Sequence, residues 1–137
     1  MKFTIAHDEI KMLLDTAGAR RPREADTLTL FACAARVFVQ TGDGIAGIES
    51  LVLADGAVRL SSKAFRCVLN TYKGTKFLTL EGSANGLRIQ NFLMPVLGYN
   101  PSPAPPADFH VFAAGSSATL LGANTPPVEA TEGEGGR

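Results

Sequence analysis

The chain has 137 residues, 45% of them apolar, which is enough for one domain with a genuine core and no structural need for metals or disulfides. Thirteen basic residues balance thirteen acidic ones, so no global charge draws the protein to nucleic acid or to a membrane. Any electrostatic function must come from how those charges are distributed.

The chain opens on a strand-like Lys2-Phe3-Thr4-Ile5, with Phe3 and Ile5 alternating with polar residues and no signal-peptide h-region. Asp8 reads as the N-cap of a helix whose Ile10, Leu13, Leu14 and Ala17 form one apolar stripe ending near Gly18. Arg20-Arg21-Pro22-Arg23 breaks that helix and forms a basic loop. Leu28 and Leu30 resume alternation, Arg36–Gln40 gives a strand with Val37 and Val39 facing in, and Thr41-Gly42-Asp43-Gly44 turns the chain. Ile45–Leu53 reads as one further strand, closed by the hairpin signal Asp55-Gly56.

The pattern then starts again. Val58 and Leu60 form a strand, Ser61 or Ser62 caps a helix, and Ala64, Phe65, Val68, Leu69 and Tyr72 make its buried side before Gly74 ends it. Leu78 and Leu80, then Leu87 and Ile89, supply two strands around Asn85-Gly86, and Phe92–Leu97 supplies the last. Setting Phe3–Thr16 over Val58–Thr71 puts Ile10 on Phe65, Lys11 on Arg66, Leu14 on Leu69 and Asp15 on Asn70. Setting Thr27–Gln40 over Phe77–Gln90 matches Leu28-Thr29-Leu30 to Leu78-Thr79-Leu80. One supersecondary unit is used twice to cover one core. The expectation is an α+β fold in which two βαβββ repeats place two helices on one face of antiparallel sheet.

The repeats fill residues 1–100. Pro101, Pro103, Pro105 and Pro106 favour an extended segment over 101–113, in which Phe109–Phe112 is a candidate to dock on the sheet or on a partner. Residues 114–137 are small, polar and Gly-rich, with Glu129, Glu132 and Glu134, and read as a disordered acidic tail. Cys33 and Cys67 have apolar neighbours and no ligand-like spacing, so both read as buried free thiols. The longest apolar run, Phe31–Val39, is interrupted by Arg36 and is too short to cross a bilayer, which with the missing leader predicts a cytoplasmic protein.

No catalytic, metal or cofactor constellation emerges. His7, Asp8 and Glu9 are consecutive at a helix start and point in different directions, and His110 has no partner at metal-ligand spacing. Gly42, Gly44 and Gly47 sit between strands and make a turn better than a phosphate loop.

Strand–helix–three strands, twice over, resembles one domain of a DNA sliding clamp, in particular the N-terminal domain of the bacterial clamp, the β subunit of the replicative DNA polymerase. The residues that carry the resemblance are Met1-Lys2-Phe3-Thr4-Ile5 leading to a helix with paired leucines, Ser62-Lys63-Ala64-Phe65 at the second helix entry, and Pro106-Ala107-Asp108-Phe109. It covers about residues 1–112, against three such domains in a bacterial clamp subunit, and His110 stands where the family often has proline. The family's peptide-binding cleft is built by later domains, so no cleft residue carries over. The resemblance implies a non-enzymatic processivity factor in DNA replication or repair, whose helices line a central hole and hold duplex DNA by its phosphates. It also implies self-association through sheet edges as a homo-oligomer.

Lys63, Arg66, Asn70 and Lys73 fall on one side of the second helix, with Lys76 just beyond its end. These cations are the expected phosphate contacts, joined by Lys11 on the first helix and Arg20 and Arg21 in the loop, which gives sequence-independent and salt-sensitive binding. The same pattern also describes the solvated face of an amphipathic helix, and Asp8, Glu9 and Asp15 would repel a passing backbone. The competing expectation is a clamp-fold interaction module or regulator that binds a polymerase or a clamp without holding DNA.

Overall fold

A computed structural model describes residues 1–106 and the main chain of 110–112. The expectations for 107–109, for residue 113 and for the tail at 114–137 lie outside the described residues. The first unit comprises β1 (Lys2–Ala6), α1 (His7–Thr16), β2 (Thr27–Cys33), β3 (Arg36–Gln40), β4 (Ile45–Glu49) and β5 (Leu51–Ala54). The second comprises β6 (Gly56–Ser61), α2 (Ser62–Thr71), β7 (Phe77–Ser83), β8 (Gly86–Ile89), β9 (Phe92–Met94) and β10 (Gly98–Asn100), and β11 (His110–Phe112) follows. The two helices are the same ten residues of their repeats, and β2 and β7 the same seven, so the duplication seen in sequence is a duplication of structure.

Each unit gives its first strand to the other. β1 lies between β5 and β7 in the sheet β5-β1-β7-β8-β9, and β6 lies between β10 and β2 in the sheet β10-β6-β2-β3-β4-β11. The registers are equivalent: Phe3 opposes Leu80 and Ile5 opposes Leu78, as Val58 opposes Leu30 and Leu60 opposes Leu28. The first turns of the helices are tied the same way. The His7 N–H donates to the Lys76 carbonyl at 2.9 Å, and the Ser62 N–H donates to the Asp26 carbonyl at 3.0 Å.

The core is correspondingly paired: Ile10 with Phe65, Leu14 with Leu69, Val37 with Leu87 and Val39 with Ile89, all buried in one cluster. Among the described elements the strands divide between two sheets, with the helices forming a separate layer. Pairing is antiparallel except for β11, which runs parallel to β4.

Several local expectations are corrected. Ile45–Leu53 is two strands, because Ser50 breaks the run: its N–H donates to the Ala35 carbonyl at 3.2 Å and its Oγ to the Thr4 carbonyl at 2.7 Å. β4 therefore stays beside β3 while β5 crosses to β1. Phe92–Leu97 is likewise cut short at Met94, and the Leu97 N–H, bonded to the Arg59 carbonyl, starts the crossing to β10 beside β6. Asp8 is not the N-cap; Ala6 occupies that position without a side-chain bond, and the Lys76 carbonyl satisfies the first donor instead. Ser61 caps α2, accepting from the Ala64 N–H at 3.2 Å. Ala64, expected on the buried side, is exposed.

The repeats diverge where the sheets face outward. Phe31, Cys33, Phe38 and Ala57 are buried on the outer face of the six-stranded sheet, with the Phe31 and Phe38 rings stacked at 4.9 Å. Their counterparts on the other sheet are Glu81, Ser83, Arg88 and Lys2. The difference matches the path of the chain, which leaves β10 at one edge of the six-stranded sheet and pairs as β11 at the opposite edge. Pro103 and Ala104 share a cleft of about 350 Å³ with Phe31 and Ala57, so the Pro-rich stretch runs over the apolar face. Gly47 is required beneath Phe38, because a Cβ there would fall 2.5 Å from the ring.

The β2–β3 hairpin turns through Ala34 (φ 53°) and Ala35 (φ 61°), both in the left-handed region that disfavours a Cβ. The double replacement Ala34→Asn with Ala35→Gly is expected to raise the unfolding free energy by about 1 kcal/mol in urea titration, with the slope unchanged. Phe65→Ala, which empties the centre of the paired core, is expected to lower it by about 3–5 kcal/mol in the same measurement.

Candidate nucleic-acid interface

The two helices lie side by side and antiparallel. His7, at the start of α1, places Nε2 2.8 Å from the Leu69 carbonyl near the end of α2, so that nitrogen carries the proton and donates. Toward the end of α1, Arg66 of α2 reaches across with Nη2 2.8 Å from Asp15 Oδ1 and Nη1 3.2 Å from the Ala19 carbonyl. His7 is a buried strut between the helices, and sequence gave no sign of that role because its partner lies 62 residues away.

The expected phosphate contacts separate into two groups. Lys63 donates to Glu24 at 3.0 Å, Arg66 pairs with Asp15, and Arg20 stands 4.0 Å from the same Asp15 carboxylate. The bond to Glu24 and its negative charge raise the Lys63 pKa. Any support from this exposed pair is small, complete below the ordinary lysine value and lost as pH rises through the raised one.

Lys11, Arg21, Lys73 and Lys76 make no ion pair among the described residues, and Lys76 Nζ sits 5.7 Å from the centroid of the Phe77 ring. Lys73 follows directly on α2, and the Lys76 carbonyl is bonded to the first residue of α1, one turn before Lys11. Lys11, Lys73 and Lys76 thus belong to one end of the helical layer, where Asp8 is the exposed acid, while Arg21 belongs to the other.

Charge is segregated. The helices and their following loops, residues 7–26 and 62–76, hold eight basic and five acidic residues, while the rest of 1–106 holds four of each. The net positive charge of the described domain therefore resides wholly in the helical layer.

Cys67 corrects a further expectation. It is exposed on α2 between Lys63 and Asn70, whereas Cys33 is buried, and burial followed by the charge of Asp55 raises its thiol pKa. Sequence missed this because an apolar-looking neighbourhood in a helix includes both of its faces.

The sheet edges differ as well. The edge of β4 is covered by β11, while the structurally equivalent edge of β9 has no partner strand among the described residues and is flanked by exposed Phe92 and Leu93. At the far side of the same sheet β5 exposes Leu51 and Leu53. Among the described residues no group of His, Cys, Asp or Glu could hold a metal ion, and no helix is long and apolar enough to cross a membrane.

Comparison with solved structures settles the architecture. The β clamp of Helicobacter pylori bound to a DNA ligase peptide superposes with a TM-score of 0.59 at 18% identity, over 72% of this chain and 31% of that one. This is the fold of a sliding-clamp domain. The same clamp with 5-chloroisatin gives a TM-score of 0.59 at 15% identity over 77% of this chain, and with carprofen 0.57 at 17% over 80%. The clamp-like chain spans about a third of the length of those structures, 31–33%. No family model and no curated protein matches the sequence.

Two measurements test the geometry of this clamp-like domain. Arg66→Ala is expected to cost about 1–3 kcal/mol in denaturant unfolding, since it leaves Asp15 and the Ala19 carbonyl short of a donor, whereas Lys63→Ala leaves stability unchanged within error. A thiol reagent at neutral pH is expected to modify Cys67 in the native protein and Cys33 only after denaturation; equal rates would contradict the burial of Cys33.

Proposed function

We propose that this clamp-like chain is a non-enzymatic DNA-associated scaffold that contacts the duplex backbone through its helical layer and gains residence on DNA by self-association, in replication or repair. The observation that carries this reading is the confinement of the domain's excess positive charge to the helices and their loops. Lys73 and Lys76 are the principal phosphate contacts, with Lys11 beside them and Arg21 at the opposite end of the layer. Lys63, Arg66 and Arg20 contribute field while engaged with Glu24 and Asp15.

Four free cations give one copy a salt slope of only about −3 to −4, the regime of weak non-specific binding. One copy therefore holds DNA poorly. Encirclement by several copies would replace affinity with topology, and the edges of β9, β5 and β10, unpaired among the described residues, offer sites for strand pairing. Polymerases and other clamp-binding proteins are the partners that such a scaffold would recruit.

One observation favours a second reading, an interaction module or regulator. β11 already occupies the edge of β4, so one of the two edges that head-to-tail pairing between β4 and β9 would join is covered in the single chain.

Mass measurement in solution with and without duplex DNA separates the two. The DNA-holding reading expects an oligomer at high protein concentration and salt-sensitive binding. Lys73→Glu with Lys76→Glu should then weaken binding at least tenfold and shrink the salt slope by about two. A strict monomer whose weak DNA signal ignores both substitutions would leave the module.

A further inference from the structure

The balanced charge of the whole chain conceals a division that coincides with its architecture. Residues 1–106 contain twelve basic and nine acidic side chains, an excess of three positive charges lying in the helical layer. Residues 107–137 contain Asp108, Glu129, Glu132 and Glu134 against Arg137 alone, an excess of three negative charges. The two excesses cancel, and each sits on its own part of the molecule.

We propose that the segment carrying Glu129, Glu132 and Glu134 docks on the cationic helical layer and competes there with DNA phosphate, so that the chain screens its own polyanion surface. This rests on the reading of that layer as a phosphate-contacting surface. The occupant is fixed by three arguments.

Chain geometry permits the contact. The last described strand, β11, ends at Phe112 beside β4, and α1 packs against β4, which brings the end of β11 near the helical layer. Glu129 lies seventeen positions beyond Phe112, an extended reach of up to about 60 Å, against a radius of gyration of about 13 Å for a domain of 100 residues.

Charge complementarity supplies the attraction. Lys11, Arg21, Lys73 and Lys76 lack carboxylate partners within the described domain, while the other layer cations, Lys63, Arg66, Arg20 and Arg23, already have them. Three glutamates two or three residues apart present repeated negative charge to cations that have none. Exposed carboxylates also face the site, Asp8 on α1 foremost, and they weaken both ligands alike.

Tethering makes a weak interaction effective. Each individual pair is a surface pair of little intrinsic strength, but attachment in the same chain sets a millimolar local concentration of the competitor. The contact must therefore fade as salt rises.

The exposed Cys67 offers a probe that needs no DNA. A nitroxide attached to Cys67 of the full chain is expected to broaden the amide resonances of residues 128–134 at low ionic strength. Raising NaCl to about 0.5 M, or the triple variant Glu129→Gln, Glu132→Gln, Glu134→Gln, should restore them. Duplex DNA added to the labelled protein should also release the segment, and the triple variant should bind duplex about three- to tenfold more tightly at low salt.

Absence of broadening at low salt, or broadening that persists in the triple variant, overturns the proposal. If neither protein binds duplex while the broadening behaves as expected, the DNA reading fails and the intramolecular contact stands. If both bind duplex equally and no broadening occurs, the DNA reading stands and the contact fails.

Discussion

The exchange of first strands between the repeats is the constraint on which the rest of the molecule depends. β1 completes the sheet of the second unit and β6 that of the first, through equivalent registers. Neither unit can close a hydrophobic face without its partner, so the two make one core and one cooperative body. The hydrogen bonds from His7 to Lys76 and from Ser62 to Asp26 extend the exchange to the helix entries. They fix both helices against each other's units, which brings α1 and α2 together as a single layer.

That layer carries the excess positive charge of the described domain. Its surface is a mixture in which structural ion pairs and free cations coexist: Arg66 is a fastener between helices, while Lys73 and Lys76 belong to solvent. A positively charged surface that recognises only a polyanion backbone needs no base-reading geometry and little shape. The clamp fold suits this, since its sheets turn away from the helices and leave their outward sides exposed. The structural likeness to the β clamp establishes the architecture, and the charge distribution of this chain is what lends it a functional direction.

The duplication was legible in the sequence because its two halves keep apolar residues at matching positions, Leu28 and Leu30 with Leu78 and Leu80, Leu14 with Leu69. The sheet switches at Ser50 and after Met94 were not. Each lies inside a stretch whose apolar residues on both sides read as one strand, and only the partner strands reveal which side of the break faces which sheet. The ion pairs were equally hidden: Asp15 meets Arg66 from 51 residues away and Glu24 meets Lys63 from 39. A helix face read alone shows which cations exist, and only tertiary packing shows which are spoken for. The outward substitutions Phe31 for Glu81 and Phe38 for Arg88 were visible as letters. Their meaning, a face covered by the Pro-rich stretch, required the path of the chain.

The exchanged strands also have a consequence for biosynthesis. β1 leaves the ribosome well before one of its two neighbours, β7, which ends at Ser83. At about 5–20 residues per second the strand therefore waits roughly 4–16 s before that pairing can form. During this interval Phe3 and Ile5 lack their native cover, and the nascent chain offers a sticky ribbon to any neighbour. Production of this protein should thus be limited by how the early chain is shielded, and slower elongation would lengthen the vulnerable period without altering the final fold.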